Sequence, residues 1–371
     1  MKMKRIIIIL CILIAILSTT VYADDTDESE TDFGQGSVYE GLPEEMREYI
    51  PSDFFTGGAS GLSEKLSIGF FLRAAGKMLS SAFPRAVKSF AFLLGILVIS
   101  SVLGALGDSI ASPSVKSVFS YISSVCICAA AYEATGSLFS LTKDFILGLS
   151  GFVTKLMPVM TALLYASGKV STAAVSGGII TAALAILENI CAGVLFPLIQ
   201  MCFAISAGGA MCGNAGLSGI TATVKKTVTY LLSFIMLLLS LTLAFQSVIT
   251  KSADSLALKG VKFAVGSFIP IVGGAINEAL TAITGSIGTI RSAVGIAGAA
   301  AVLFMTVSPI ICILINKALL ELSASFAVML GLERESRFLS DTAGIAGFFV
   351  SLSAVTGVFF IFSLSVLAGI S

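Results

Sequence analysis

No histidine and no tryptophan occur among the 371 residues of this chain, and only 12% of its residues are charged. The missing imidazole excludes histidine acid–base catalysis, histidine-ligated metals and every catalytic triad built on that ring. The missing indole leaves an interfacial belt to tyrosine, phenylalanine, lysine and arginine. The charged share is about half of the roughly 25% usual for soluble domains. With 56% hydrophobic residues, the chain has more apolar surface than a soluble core of this length needs, so the bilayer is its solvent. Also absent are a G-x-x-x-x-G-K-[ST] phosphate loop, a G-x-S-x-G nucleophile elbow and paired intramembrane aspartates. The expectation is a protein that is not an enzyme and takes no cofactor.

Seven cysteines are present, and none sits in a loop patterned for disulfides. Cys126, Cys128, Cys191, Cys202, Cys212 and Cys312 lie in or beside apolar runs, where they read as small hydrophobes on packed helix faces.

The N-terminus has three parts. Lys2, Lys4 and Arg5 precede the apolar run Ile6–Leu17, and Val21-Tyr22-Ala23 places a small residue at the cleavage position. That order predicts a cleavable signal peptide over 1–23, because the run falls short of the ~20 residues of a spanning helix. Residues 24–53 then carry eleven acidic side chains against one basic, Arg47, whereas residues 54–371 carry eighteen basic and eleven acidic. Low hydrophobicity and scattered glycines predict an acidic, largely disordered tail over 24–60, which the signal commits to the extracytoplasmic side. Residues 61–84 set Leu62, Leu66 and Phe70 against Lys65, Arg73 and Lys77 at helical spacing. This predicts an amphipathic helix along the membrane surface.

Residues 85–371 predict an all-α polytopic transmembrane helical bundle of about eight spans. Blocks long enough to cross the ~30 Å hydrocarbon layer fall near 86–107, 118–140, 145–166, 173–200, 227–249, 263–283, 293–315 and 342–369. The block 317–332 is short and interrupted by Glu321, and reads as interfacial or half-inserted. With an external start, eight spans place Lys116, Lys169, Lys251, Lys259, Lys262, Lys317, Arg334 and Arg337 inside. Lys143, Lys225, Lys226 and Arg291 then fall outside, a modest positive-inside bias. Two features leave the count open: 263–283 either spans or re-enters, and 173–206 is long for one pass.

Ionisable residues at membrane depth are costly, which singles out Glu133, Lys155 and Glu188, with Asn189 beside the last. Either they form interhelical pairs, with Lys155 as the cation, or they line a proton or solute path. The second reading makes the chain an autonomous secondary transporter using intramembrane carboxylates. It expects internal repeats, of which only a loose echo at Pro158 and Pro197 is visible. The most distinctive stretch is Lys259–Glu278, KGVKFAVGSFIPIVGGAINE. Pro270 breaks the helix ladder, and Gly273 and Gly274 loosen it further. Asn277 and Glu278 follow, so these five residues form a candidate conduit or helix break, tolerated at depth only where protein or water satisfies the freed groups. Gly295-x-x-Gly298, Gly344-x-x-Gly347 and Ala297–Ala301 leave flat faces, suited to close helix packing or to a partner.

At Phe268–Ala279 (FIPIVGGAINEA), after the basic Leu258–Lys262, the chain resembles the stage III sporulation protein AE family of endospore-forming bacteria. The likeness extends over the signal, acidic region, amphipathic segment and polytopic body. It implies a subunit of a multiprotein, channel-like complex in the mother-cell membrane around the forespore. That complex meets a forespore partner across the intermembrane space, is similar in part to secretion machinery, and supports late forespore gene expression. The implied partners are other membrane subunits of the complex, including a separate ATPase, and membrane lipid, with no nucleic acid. The family supplies no catalytic residues to carry over.

Overall fold

Long apolar stretches with few breakers fold here into long helices. The computed structural model describes residues 68–109, 113–213, 216–252 and 273–369. Among these residues there is no strand. The helices are α1 (Ile68–Ser109), α2 (Pro113–Ala166), α3 (Val170–Ile190), α4 (Phe196–Cys212), α5 (Gly216–Ser252), α6 (Gly273–Met329) and α7 (Glu333–Ala368). α3 and α4 form one rod through a π-turn at Cys191–Leu195. Pro197 explains the turn: it offers no N–H to the carbonyl of Gly193, so the ladder widens. Counting that rod once, six helices are long and apolar enough to cross a membrane. The expected signal peptide, the acidic tail, residues 61–67 of the amphipathic segment and Pro270 lie outside the described residues.

Among the described residues the expected blocks do not all stand apart; of block 263–283 only residues 273–283 are described, and these open α6. Blocks 118–140 and 145–166 are both part of α2, whose 54 residues extend ~80 Å at 1.5 Å per residue. Lys143 and Asp144, read as a connection, are exposed on that helix. No glycine or proline between Ser140 and Phe145 would let the chain reverse. Likewise α6 runs through 293–315 and 317–332 without interruption. Glu321 is paired with Lys317 one turn before it, an arrangement a helix surface accommodates. Residues 68–84 continue through Pro84 into the first apolar block. Ala74 and Met78 are buried in the main core while Arg73 and Lys77 stay exposed.

Cross-helix bonds show which turns share an end of the bundle. Ser101 Oγ donates to the carbonyl of Leu330 at 3.2 Å and Ser124 Oγ to Glu335 at 2.6 Å. Ser206 Oγ donates to Asp341 at 2.8 Å. These bonds gather the end of α1, the start of α2, the α4–α5 turn and the α6–α7 turn at one end of the bundle. At the other end, Arg291 donates to the carbonyl of Ala368 at 3.3 Å and to Ser167 Oγ at 3.5 Å. Lys225 therefore shares an end with Arg334, and Lys169 shares one with Arg291, whereas the eight-span count separated both pairs. Only counting 263–283 as a separate span separates these pairs; two long helices, α5 and α6, lie between the α4–α5 and α6–α7 turns, in line with the alternative in which 263–283 re-enters.

The core is the antiparallel hairpin of α6 and α7, the most extensive helix contact among the described residues. Ala297, Ala300, Val302, Phe349, Leu352 and Leu364 are all wholly or almost wholly buried. Close approach depends on missing side chains. A Cβ at Gly295 would collide with Ala368, and one at Gly357 with Thr306. A Cβ at Gly298 would lie 2.7 Å from Leu156 Cδ2. These small residues pack helices within the chain, as small faces do in lipid.

Gly357→Val should therefore destabilise the protein by about 1–3 kcal/mol, the usual cost of overpacking. Gly76→Ala, where a Cβ meets only open space, should leave stability unchanged or slightly raised. Thermal unfolding of both purified variants in detergent checks the contrast.

Candidate functional site

Lys225 lies in the α5 stretch TATVKKTVT, with no acidic residue within a turn on its own helix. Its partner comes from another helix. Lys225 Nζ meets Asp341 Oδ1 of α7 at 2.5 Å, with side chains 23% and 31% exposed. Ser206 of α4 donates to the second carboxylate oxygen at 2.8 Å. One carboxylate thus ties three helices together. Gly344, one turn beyond Asp341, gives the ammonium its room: a Cβ there would lie 3.3 Å from Lys225 Nζ.

Four further charges stand in the first turns of α7. Glu335 is buried and accepts the hydrogen bond of Ser124, joining α7 to α2. Glu333 and Arg337 pair at 3.5 Å on an open surface, at 76% and 70% exposure, a pair that adds little stability. Arg334 makes no ion pair among the described residues. Its guanidinium lies over Gly213, the C-cap of α4 at φ +64°, where any side chain would clash with it. A cation at that position complements the negative end of α4.

Between α4, α5 and α7 lies an open-mouthed cavity of about 190 Å³. Gly209, Leu217 and Phe338 form part of its apolar wall, and Ser206, Thr221 and Asp341 its polar floor. Arg334 and Arg337 stand at its charged rim. Among the described residues no three His, Cys, Asp or Glu side chains come together to hold a metal ion.

The residues singled out from the sequence are dispersed. Glu133 and Lys155 are exposed on α2, and neither forms an ion pair among the described residues. Glu188 is half-buried just before the π-turn, and exposed Asn189 donates to the carbonyl of Ala185 at 2.7 Å. Gly273 and Gly274 open α6, and Asn277 and Glu278 follow within its first two turns.

Sequence reading missed the Lys225–Asp341–Ser206 network because loop counting puts Lys225 outside the spans and Asp341 has no local partner to mark it. The usable signal was a lysine pair inside an otherwise uncharged helical stretch. A second buried polar link was also missed. Gln246 of α5 donates to the carbonyl of Ser363 at 3.1 Å, and Ser363 Oγ donates back to Gln246 at 2.9 Å.

Six long apolar helices, tied together by a cross-helix ion pair at one end and by the reciprocal Gln246–Ser363 hydrogen bonds, define a multi-pass membrane protein. The chain belongs to the stage III sporulation protein AE family, which matches residues 53–371, a stretch that takes in every described helix. Its role is therefore in sporulation. No curated protein and no solved structure matches the chain.

Asp341→Asn leaves Lys225 without its counter-charge, and Lys225→Met leaves Asp341 paired only with Ser206. Each should destabilise the protein by about 1–3 kcal/mol, with part of that loss recovered in the double variant. A double-mutant cycle on unfolding in detergent measures the coupling. Strict additivity would show that the pair contributes nothing.

Proposed function

We propose that this protein is a non-enzymatic membrane subunit of the channel-like, secretion-like complex that links mother cell and forespore. Family membership over residues 53–371 carries this reading. In it, the chain sits in the mother-cell membrane with its mature N-terminus extracytoplasmic. The acidic region 24–60 then faces the intermembrane space and meets partners there. Apolar side chains exposed along α1 and α5, such as Phe92, Ile99, Leu237 and Phe245, offer lateral surface to lipid and neighbouring subunits. Energy from ATP belongs to a separate partner, since this chain has no phosphate loop of its own.

Deleting the gene in its endospore-forming host should arrest sporulation after engulfment and leave vegetative growth normal. Phase-contrast spore counts together with growth curves test both halves. A vegetative transport defect would favour an autonomous carrier instead.

A further inference from the structure

We propose that the cavity between α4, α5 and α7 is a headgroup site for an anionic phospholipid, with Arg334 as the cation that selects it. Charge accounting comes first. Of the four charged side chains lining the cavity, Asp341 is neutralised by Lys225 and Glu333 is paired with Arg337. Glu335 does not line the cavity and is engaged by Ser124 on α2. That leaves Arg334 as the charged side chain of the cavity that has no ion-pair partner among the described residues. The exposed Glu333–Arg337 pair is weak enough to open toward a second anion.

Position gives the second argument. The cavity is lined by the last turns of α4, the first turns of α5 and the first turns of α7. These are the ends of three of the membrane-crossing helices, where lipid headgroups lie. Basic pockets between helices at that level suit anionic headgroups. The positive ends of the α5 and α7 dipoles outnumber the negative end of α4, which Arg334 covers at Gly213.

Shape gives the third. Ile205, Leu217 and Phe338 bring apolar surface to a cavity that also carries Ser206, Thr221 and the charged side chains, matching a phosphodiester with acyl chains beside it. A guanidinium binds a phosphodiester through paired hydrogen bonds. The same unpaired cation repels the trimethylammonium of a choline headgroup, so selectivity follows from charge as well as fit.

The test uses the full chain purified in a neutral detergent and titrated with dioleoylphosphatidylglycerol or dioleoylphosphatidylcholine, with bound lipid counted by native mass spectrometry. The wild type should retain the glycerol lipid about tenfold more than the choline lipid, and Arg334→Gln should lose most of that preference. Arg334→Lys should keep part of it. Lys226→Gln removes an exposed cation outside the cavity and should keep all of it. If Arg334→Gln does not fold, Leu217→Phe fills the cavity without altering charge and should produce the same loss. Equal retention of the two lipids, or loss in Lys226→Gln matching that in Arg334→Gln, would overturn the proposal. Displacement of the glycerol lipid by equimolar inorganic phosphate would assign the site to a free phosphate and overturn the lipid assignment. A sporulation defect in Arg334→Gln with lipid preference intact would assign Arg334 to a protein partner and also overturn it.

Discussion

The bundle depends on how closely α6 can lie against α7. In lipid no hydrophobic effect pushes two helices together, so contact area and hydrogen bonds must do it. Gly295, Gly298 and Gly357 remove the side chains that would hold the helices apart. The alanines from 297 to 301 then bury almost completely. Once that hairpin is closed, the other helices have a fixed surface to pack on. Leu156 of α2 rests on Gly298, and the turn between α6 and α7 receives Ser101 of α1.

Polar contacts then set the register where packing alone would allow sliding. At one end Asp341 holds Lys225 and Ser206, and Glu335 holds Ser124. Toward the other end Gln246 and Ser363 exchange two hydrogen bonds, and Arg291 caps α7 through the carbonyl of Ala368. Gly369 turns with φ +79°, and a Cβ there would stand 2.6 Å from Arg291 Nη2. Each helix slid by one turn along its neighbour would leave buried polar groups without partners, which costs more in lipid than at a wet surface. Asp341 is thus both Lys225's partner in a structural tie and a lining residue of the cavity, which is how the scaffold and the proposed lipid site are connected.

Much of this was legible in the sequence. Composition alone gives the bilayer as solvent, and the small-residue stripes at 295–301 mark helix faces that the structure uses for internal packing. The FIPIVGGAINEA run was enough to suggest the family. What the sequence concealed was continuity. Charges such as Lys143, Asp144 and Glu321 look like loops when hydropathy is read in windows, yet they are tolerated on a helix that has no glycine or proline to end it. The same reading hid the Lys225 network, because cross-helix partners more than a hundred residues apart leave no local pattern. Glu133 and Lys155 stood out for their depth, but on α2 both face outward.

The arrangement of the turns is the claim on which the rest stands, and cysteine labelling from the two sides of the membrane tests it most directly. In an otherwise cysteine-free background, native Cys212 and a cysteine replacing exposed Glu333 mark the α4–α5 and α6–α7 turns, and one replacing exposed Val170 marks the α2–α3 turn. The account predicts that the first two label from the same side with an impermeant maleimide and the third from the opposite side. Labelling of positions 212 and 333 from opposite sides would contradict it.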